Sequence, residues 1–398
     1  MTKRIKATVD PTVLIWARET AGFSLEGAAA KLKIEEERLT AWEQGGDQPS
    51  IPQLRKLAET YKRPLAVLYL HEPPTNSFQA MHDFRRLPDL GMRRFSPELT
   101  LEIRLAQQRR ELALELFEDG NEAPTPFTLE TTINKNPEAI ADVIRNTLGV
   151  DYAMQSHWRD QRSAFLAWRA KIEELGVLVF QASRIESDEA SGFAYWDDAL
   201  PFMVVNRKDT YSRRIFSMFH EFAHLMLRQS GVSDLDIESL RSDADERVEV
   251  FCNQVAAAVL MPRSLFLSEE RIAARGDGLH DWDDETVKAL ALTFSVSREA
   301  IVRRLLTFGR TTEAFYRRKR AQYAKEHQQQ QQRNREKNEG KRIPRNMPRE
   351  TVATFGRPFV RRVIENYHLD RISLSDVSGY LGVKVRHVAG IEQQLGFS

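Results

Sequence analysis

Between residues 9 and 72 the apolar positions fall into short groups at helical spacing, separated by polar breaks. Val13-Leu14-Ile15-Trp16-Ala17 forms a first group, and Ser24 stands as an N-cap before a second helix over 26–32. Lys33-Ile34 turns the chain into a third helix over 35–44, which stops at Gly45-Gly46. A fourth helix after Ser50 carries Leu54, Leu57 and Ala58, and Pro64 opens a fifth with Leu65, Leu68 and Tyr69. Two helices joined by a tight turn inside a five-helix unit predict a helix-turn-helix domain over residues 1–72.

Residues 73–150 read as a helical connector. Pro73, Pro74, Asn76 and Pro88 break the pattern, a charged helix spans 97–118, Pro124 and Pro126 break it again, and helical spacing resumes from about 135. The period then changes. Val177-Leu178-Val179-Phe180-Gln181, Gly192-Phe193-Ala194-Tyr195 and Phe202-Met203-Val204-Val205-Asn206 are β-branched and aromatic runs between polar turns, which predicts a small antiparallel sheet. Helices return over 211–227, 244–260 and 286–294, with another opening at Val296-Ser297-Arg298, so residues 151–312 form an α+β domain. From 313 to 345 Lys, Arg and Gln dominate, as in a solvated helix or a basic, Gln-rich linker. Residues 346–398 regain helical spacing as a C-terminal helical domain, and the whole chain is multidomain and mainly α.

The last segment repeats part of the first. Residues 23–44 align without gaps on 372–393, which sets Leu32 against Leu381, Ile34 against Val383, Leu39 against Val388 and Glu43-Gln44 against Glu392-Gln393. Both segments fit helix-turn-helix hairpins, although any two amphipathic hairpins share a leucine spacing.

Composition narrows the function classes. Hydrophobic residues at 41% and charged residues at 29% are ordinary for a globular protein, and no run of about 18 apolar residues exists to cross a bilayer. The basic start Lys3-Arg4-Ile5-Lys6 lacks the apolar stretch of a secretory signal, so the cytoplasm is the expected compartment and no membrane partner is expected. A single cysteine, Cys252, agrees with a reducing compartment and excludes a cysteine-rich metal site. Any zinc must take His and carboxylate ligands. The net charge of +1 provides no overall basic field.

The strongest chemical signal is His220-Glu221-Phe222-Ala223-His224 within an apolar helical pattern. Residues four apart lie roughly 40° apart around a helix, so both imidazoles project to one side and can share an ion. Glu221 adjoins the same face as a general base. Catalytic zinc takes three protein ligands and keeps one position open. Glu249 is the favoured third ligand, because Glu249, Asn253, Ala256 and Ala257 share one face of a helix ended by Met261-Pro262, and the small alanines permit close helix contact. Asp243, Asp245 and Glu246 compete, but they sit near the helix start, where the macrodipole favours acids in any case. Asn253 reads as a residue behind the ligands, and Cys252 as small and buried. The sheet upstream offers an edge to which an extended peptide could add. Tyr195 and Tyr211 are candidates for stabilising an oxyanion by sequence proximity alone, and the remaining histidines have no ligand spacing.

Phe219-His220-Glu221-Phe222-Ala223-His224 and the run from Glu249-Val250-Phe251-Cys252-Asn253 to Leu260-Met261-Pro262 resemble the two signature helices of the ImmA/IrrE family of metallopeptidases. Leu39-Thr40-Ala41-Trp42-Glu43-Gln44-Gly45 with Gln48-Pro49-Ser50-Ile51-Pro52 resembles a Cro/repressor (Xre-type) helix-turn-helix, and Ser295-Val296-Ser297-Arg298-Glu299-Ala300-Ile301 resembles the closing helix of the peptidase family. The resemblance implies a zincin-like (gluzincin) zinc endopeptidase with His220, His224 and Glu249 as ligands and Glu221 as base. It also implies a protein substrate, a partner repressor whose cleavage controls phage, mobile-element or stress-response genes.

The helix-turn-helix fold and its charge disagree about DNA. The start of the third helix, where a groove reader meets bases, holds Glu35-Glu36-Glu37, offset only by Lys33 and Arg38. A protein partner or a homodimer contact is the alternative use of that surface. The matching positions in the last segment hold Lys384, Val385, Arg386 and His387, so the tail is the better candidate for nucleic acid. The competing function is therefore an Xre-family DNA-binding regulator whose peptidase-like half serves as sensor or dimerisation body.

Overall fold

The computed structural model describes residues 5–74, 81–83, 95–233, 242–338 and 345–397. Asn76, Pro88 and the linker positions 339–344 lie outside the described residues. The chain folds as two compact units, residues 1–80 with 88–108, and residues 81–87 with 109–398.

The first unit contains α1 (Pro11–Glu19), α2 (Leu25–Leu32), α3 (Glu36–Glu43) and α4 (Ile51–Tyr61). The expected fifth helix is a 3-10 turn, Leu65–Tyr69, in which the Leu70 amide donates to the Val67 carbonyl. Ser24 caps α2 as its spacing predicts, its hydroxyl accepting from the Gly27 amide at 3.0 Å. Lys33 closes α2 in the left-handed region at φ 57°, which turns the chain sharply into α3. Val13, Leu14, Ala17, Leu32, Leu39, Trp42, Leu54, Leu57 and Tyr61 form the core between these helices. Within it, Arg18 of α1 makes a bidentate pair with Glu43 of α3 at 2.8 and 3.0 Å, and also donates to the Phe23 carbonyl at 3.0 Å. One buried guanidinium thus ties the first helix to the third and to the turn before the second.

In the second unit β1 (His82–Asp83) comes first, followed by α5 (Pro97–Glu118), whose residues from Arg109 onward belong here. Next come α6 (Pro137–Leu148), α7 (Tyr152–Ser156), α8 (Gln161–Glu173), β2 (Leu178–Ala182), β3 (Gly192–Tyr195), β4 (Phe202–Asn206), α9 (Tyr211–Met226), β5 (Gly231–Ser233) and α10 (Asp243–Leu260). Then follow α11 (Arg263–Ser268), α12 (Glu270–Ala273), α13 (Asp284–Thr293), α14 (Arg298–Thr307), the solvated α15 (Glu313–Asn338), α16 (Met347–Phe355), α17 (Arg357–His368), α18 (Leu374–Tyr380) and α19 (Val388–Leu395). Among the described residues no helix is long and apolar enough to cross a membrane.

The sheet is mixed rather than wholly antiparallel. Its order is β1-β5-β3-β4-β2, with β3 antiparallel to β4 and β5, and parallel pairing of β2 with β4 and of β1 with β5. The parallel pair arises because the chain between β2 and β4 first forms β3 on the far side of β4, a long-range choice that local alternation does not record. Strands β3 and β4 are interior, so neither offers the open edge expected for an added peptide. At the β2 end, Arg169 donates to the Val179 carbonyl, and Arg169 and Gln181 both donate to the Ala353 carbonyl of α16, at 2.5 and 2.6 Å. This protects the strand edge from further pairing. Trp168 of α8 meets Phe219 of α9 edge-to-face at 4.8 Å, fixing α9 in the main core.

The Arg18–Glu43 pair generates a stability prediction. Glu43→Ala leaves a buried guanidinium without its carboxylate, and the first unit is expected to lose about 3–5 kcal/mol. Amide hydrogen exchange over α1 to α4 measures this, and a loss below about 1 kcal/mol would show that the pair does not hold the helices together.

Candidate metal centre

Helix α9 begins at Thr210, whose hydroxyl caps the Arg213 amide, and it is buried along nearly its whole second half. His220 and His224 lie one turn apart on it, with ring centroids 4.9 Å and Nε2 atoms 3.2 Å from each other. Helix α10 starts at Ser242, which caps the Asp245 amide at 3.1 Å. Its first-turn acids are spent at the helix start: Glu246 is exposed, and Asp245 pairs with His82 of β1 at 3.0 Å. Two turns on, Glu249 is buried, with Oε1 3.1 Å from His224 Nε2 and Oε2 3.4 Å from His220 Nε2. The ligand atoms of His220, His224 and Glu249 all lie within 4.8 Å of one another, and among the described residues this is the group that could hold a metal ion.

The donor set fits zinc. Two imidazole nitrogens and one carboxylate are what a catalytic zinc site takes from a protein, with a position left open. The fit extends to what stands behind the ligands, since His220 Nδ1 lies 3.0 Å from Asn253 Oδ1. That hydrogen bond puts the proton on Nδ1 and leaves the Nε2 lone pair facing Glu249 and His224. Asn253 sits one turn beyond Glu249 on α10, so the same helix supplies a ligand and the group that orients another.

Burial and charge pull these groups in opposite directions. Burial pushes the Glu249 carboxyl up, but His220 and His224 outweigh it and hold the group well below the usual carboxylate range. Burial depresses His220, yet Glu249 beside it more than compensates and its pKa rises; for His224 burial wins and the pKa falls. Glu221 has no such partner. Desolvation pushes it up to about 8, and its Oε2 finds no hydrogen-bond donor among the described residues. A buried carboxyl with an unused oxygen beside a cluster of metal ligands is suited to holding a proton.

Two neighbours of Glu221 carry no signal in the sequence. A Cβ at Gly192 would lie 2.9 Å from Glu221 Oε1 and 2.8 Å from the Val204 carbonyl, so β3 can pass this close to α9 only with glycine there. Ser233 of β5 is buried, with its hydroxyl 3.2 Å from His224 Nε2 and hydrogen-bonded to Glu221. Both are brought in by strand pairing. His82, read as structural or surface, lies near enough to lower the pKa of His224. Conversely, Tyr195 stacks on Phe202 at 5.1 Å beneath Arg110, and Tyr211 packs on Phe165 two turns and more before His220. Neither tyrosine is carried to the cluster. Cys252 is buried and its thiol is pushed well up, as suits a small core residue. Of the four cations considered for nucleic acid, Lys33 is the exposed cap of α2 and Arg38 lies 5.5 Å from the centroid of the Trp42 ring, while Lys384 and Arg386 are exposed at the start of the last helical segment.

Comparison with known families agrees with this organisation. Residues 172–306 match the peptidase family described as the IrrE N-terminal-like domain, and residues 14–68 match the family described as helix-turn-helix. The first match contains α9, α10 and the whole cluster; the second contains α2, α3 and their turn. The chain thus joins a helix-turn-helix domain to a metallopeptidase-like domain. No curated protein matches it.

The raised pKa of Glu221 sets the sign of a pH effect in metal-free protein. Unfolded, the carboxyl ionises near 4.5, and folded only near 8. Across that window the folded state binds the extra proton, so this group makes stability fall as pH rises. Glu221→Gln removes the effect. Urea unfolding of chelator-treated protein is expected to show the variant gaining on the native protein by a few kcal/mol between about pH 5 and about pH 8. A difference that does not change with pH would mean that Glu221 ionises normally.

Proposed function

We propose that this fusion of a helix-turn-helix domain to a metallopeptidase-like domain is a cytoplasmic zinc-dependent endopeptidase that cleaves a partner repressor and so controls phage, mobile-element or stress-response genes. The observation that carries the reading is the buried cluster of His220, His224 and Glu249 with the high-pKa carboxyl of Glu221 against it. The repressor as substrate is supported by the other half of the chain. A helix-turn-helix whose reading helix begins with three exposed glutamates repels DNA phosphates, and a protein partner is the better occupant.

His220, His224 and Glu249 would hold the metal, and Asn253 would fix the His220 ring through its Nδ1 proton. A zinc ion in that set supplies Lewis-acid polarisation of a carbonyl and acidification of water. Glu221 takes the proton from the attacking water at its open oxygen and returns it to the departing amine, the two halves of general acid–base catalysis. Its surroundings favour the protonated form once it has accepted, because burial disfavours the charged carboxylate. Ser233 and Gly192 keep that carboxyl on its track, one by a hydrogen bond and the other by leaving room.

The competing reading, a DNA-binding regulator with an inert peptidase-like half, is favoured by the helix-turn-helix match. Separating the two takes purified protein, repressor-like proteins encoded beside it, and a chelator. We expect cleavage that the chelator abolishes and that Glu221→Gln removes while metal content stays near one equivalent. Full cleavage by Glu221→Gln sinks the mechanism, and sequence-specific DNA binding without any cleavage favours the competing reading.

The ligand assignment has its own test. Glu249→Ala is expected to weaken zinc affinity by well over tenfold, as removing a ligand must when removing an orienting group behind one already costs about 10–100-fold. Glu246→Ala, on the exposed side of the same helix, is expected to leave affinity within about twofold of the native protein. Equal losses measured by competition with a chromophoric chelator would show that the wrong carboxylate was chosen.

A further inference from the structure

The C-terminal helices repeat the fold of the first helix-turn-helix with its surface charge reversed. At one constant offset along the chain, α17, α18 and the final helical segment correspond to α1, α2 and α3. Ser24 and Ser373 both cap in extended conformation, at φ −68° and −84°, and their hydroxyls accept from the third residue on at 3.0 and 3.2 Å. Lys33 and Gly382 both turn the chain in the left-handed region, at φ 57° and 59°. Glu35 and Lys384 then both stand extended before the next helix, at ψ 147° and 144°. Leu14, Leu32, Leu39 and Trp42 of the first hairpin and Val363, Leu381, Val388 and Ile391 of the last are all buried. Three backbone positions and four core positions in the same order go beyond the leucine spacing that any two hairpins share.

The surfaces differ where a groove reader would touch its ligand. The start of α3 exposes Glu35, Glu36 and Glu37, whereas the matching positions expose Lys384, Val385 and Arg386. Arg386, Ala389 and Gln393 are exposed at spacings of one and two helical turns, so they form one outward face. Pro348 lies against Gly390, with only 2.7 Å left for a Cβ, so the first turn of α16 runs beside this helix and brings exposed Arg349 with it. Neither Lys384 nor Arg386 enters an ion pair among the described residues, while Glu350, Asp376 and Glu392 are engaged by Arg207, Ser373 and His368.

We propose that residues 372–395 form a second helix-turn-helix and that its ligand is double-stranded DNA. The final helical segment enters the major groove, with Arg386 and Gln393 hydrogen-bonding base edges and Ala389 and Val385 against thymine methyl groups. Lys384 and Arg349 lie on phosphates beside the groove. The family matches stop at residue 306, so this surface lies outside both of them. It also stands apart from the metal centre, and its test is indifferent to whether the peptidase reading holds.

The experiment uses the full chain, a labelled duplex of about 25 base pairs and anisotropy titrations at about 50 and about 200 mM salt. Binding is expected to weaken steeply with salt, and Lys384→Ala/Arg386→Ala is expected to lower affinity at least about tenfold at the lower salt and to reduce the salt slope by roughly 1.8, about 0.9 for each lost phosphate contact or groove charge. Both side chains are exposed, and unchanged hydrogen exchange in α17 and α18 verifies that the variant still folds. On adding duplex, exchange protection is expected over residues 384–393. Protection confined to residues 24–44, an unchanged slope in the double variant, or no duplex binding by the native chain at the lower salt each overturn the proposal, the last leaving this face to a protein partner.

Discussion

The most demanding feature of the molecule is one carboxylate buried between two imidazoles. Glu249 is fully enclosed, and a charge so placed is tolerable only while His220 and His224 stay within about hydrogen-bonding reach. Helices α9 and α10 must therefore be held against each other with little freedom. Buried Ala256 and Ala258 let α10 approach its neighbours, and its C-terminal carbonyls are taken up by side chains from elsewhere. Arg145 donates to the Val259 carbonyl at 2.8 Å, Gln155 to Leu260 at 3.0 Å and Arg304 to Met261 at 2.7 Å. Cations at the negative end of a helix stabilise it electrostatically as well as by hydrogen bonds. Helices α6, α7 and α14 thus serve the metal centre without touching it.

Glu221 is subject to the opposite condition. Its neighbours do not neutralise it, and the sheet approaches it with glycine at position 192 and a single hydroxyl at 233. Two carboxyl groups lie within one small volume, and the histidines keep one anionic while desolvation keeps the other protonated near neutral pH. This division matches a ligand and a proton carrier, since the first must stay charged and the second must be able to change.

The helix-borne part of this centre was legible in the sequence because helical period is a local property. His220 and His224 share a face by spacing alone, and burial separates Glu249 from Glu246 along a helix whose period is plain. What depends on strand pairing was not legible. Gly192 and Ser233 meet Glu221 only because β3 lies between β4 and β5, and the sheet is mixed because β2 and β4 pair across an intervening strand. The two-residue β1 arises from a proline-broken connector that no alternation marks, yet it brings His82 to Asp245. Tyr195 and Tyr211 show the converse error. A helix advances about 1.5 Å per residue, so nearness in sequence carries a side chain away from a site as readily as toward it.

The two helix-turn-helix hairpins separate scaffold from ligand. A capped helix, a left-handed turn and an extended residue before the next helix recur in both, and the side chains that fill the core are interchangeable in kind. None of those positions faces outward. The few that do are free of the packing constraint, which is how a run of glutamates at 35–37 and a basic pair at 384 and 386 can occupy equivalent places. Association with a polyanion is governed by those outward charges, because counterion release scales with the cations brought to the phosphates and not with the backbone that carries them. Matching the backbone of a DNA reader is therefore a weaker argument for DNA than the sign of the charge at the start of its second helix, and in this chain the two arguments point to opposite ends.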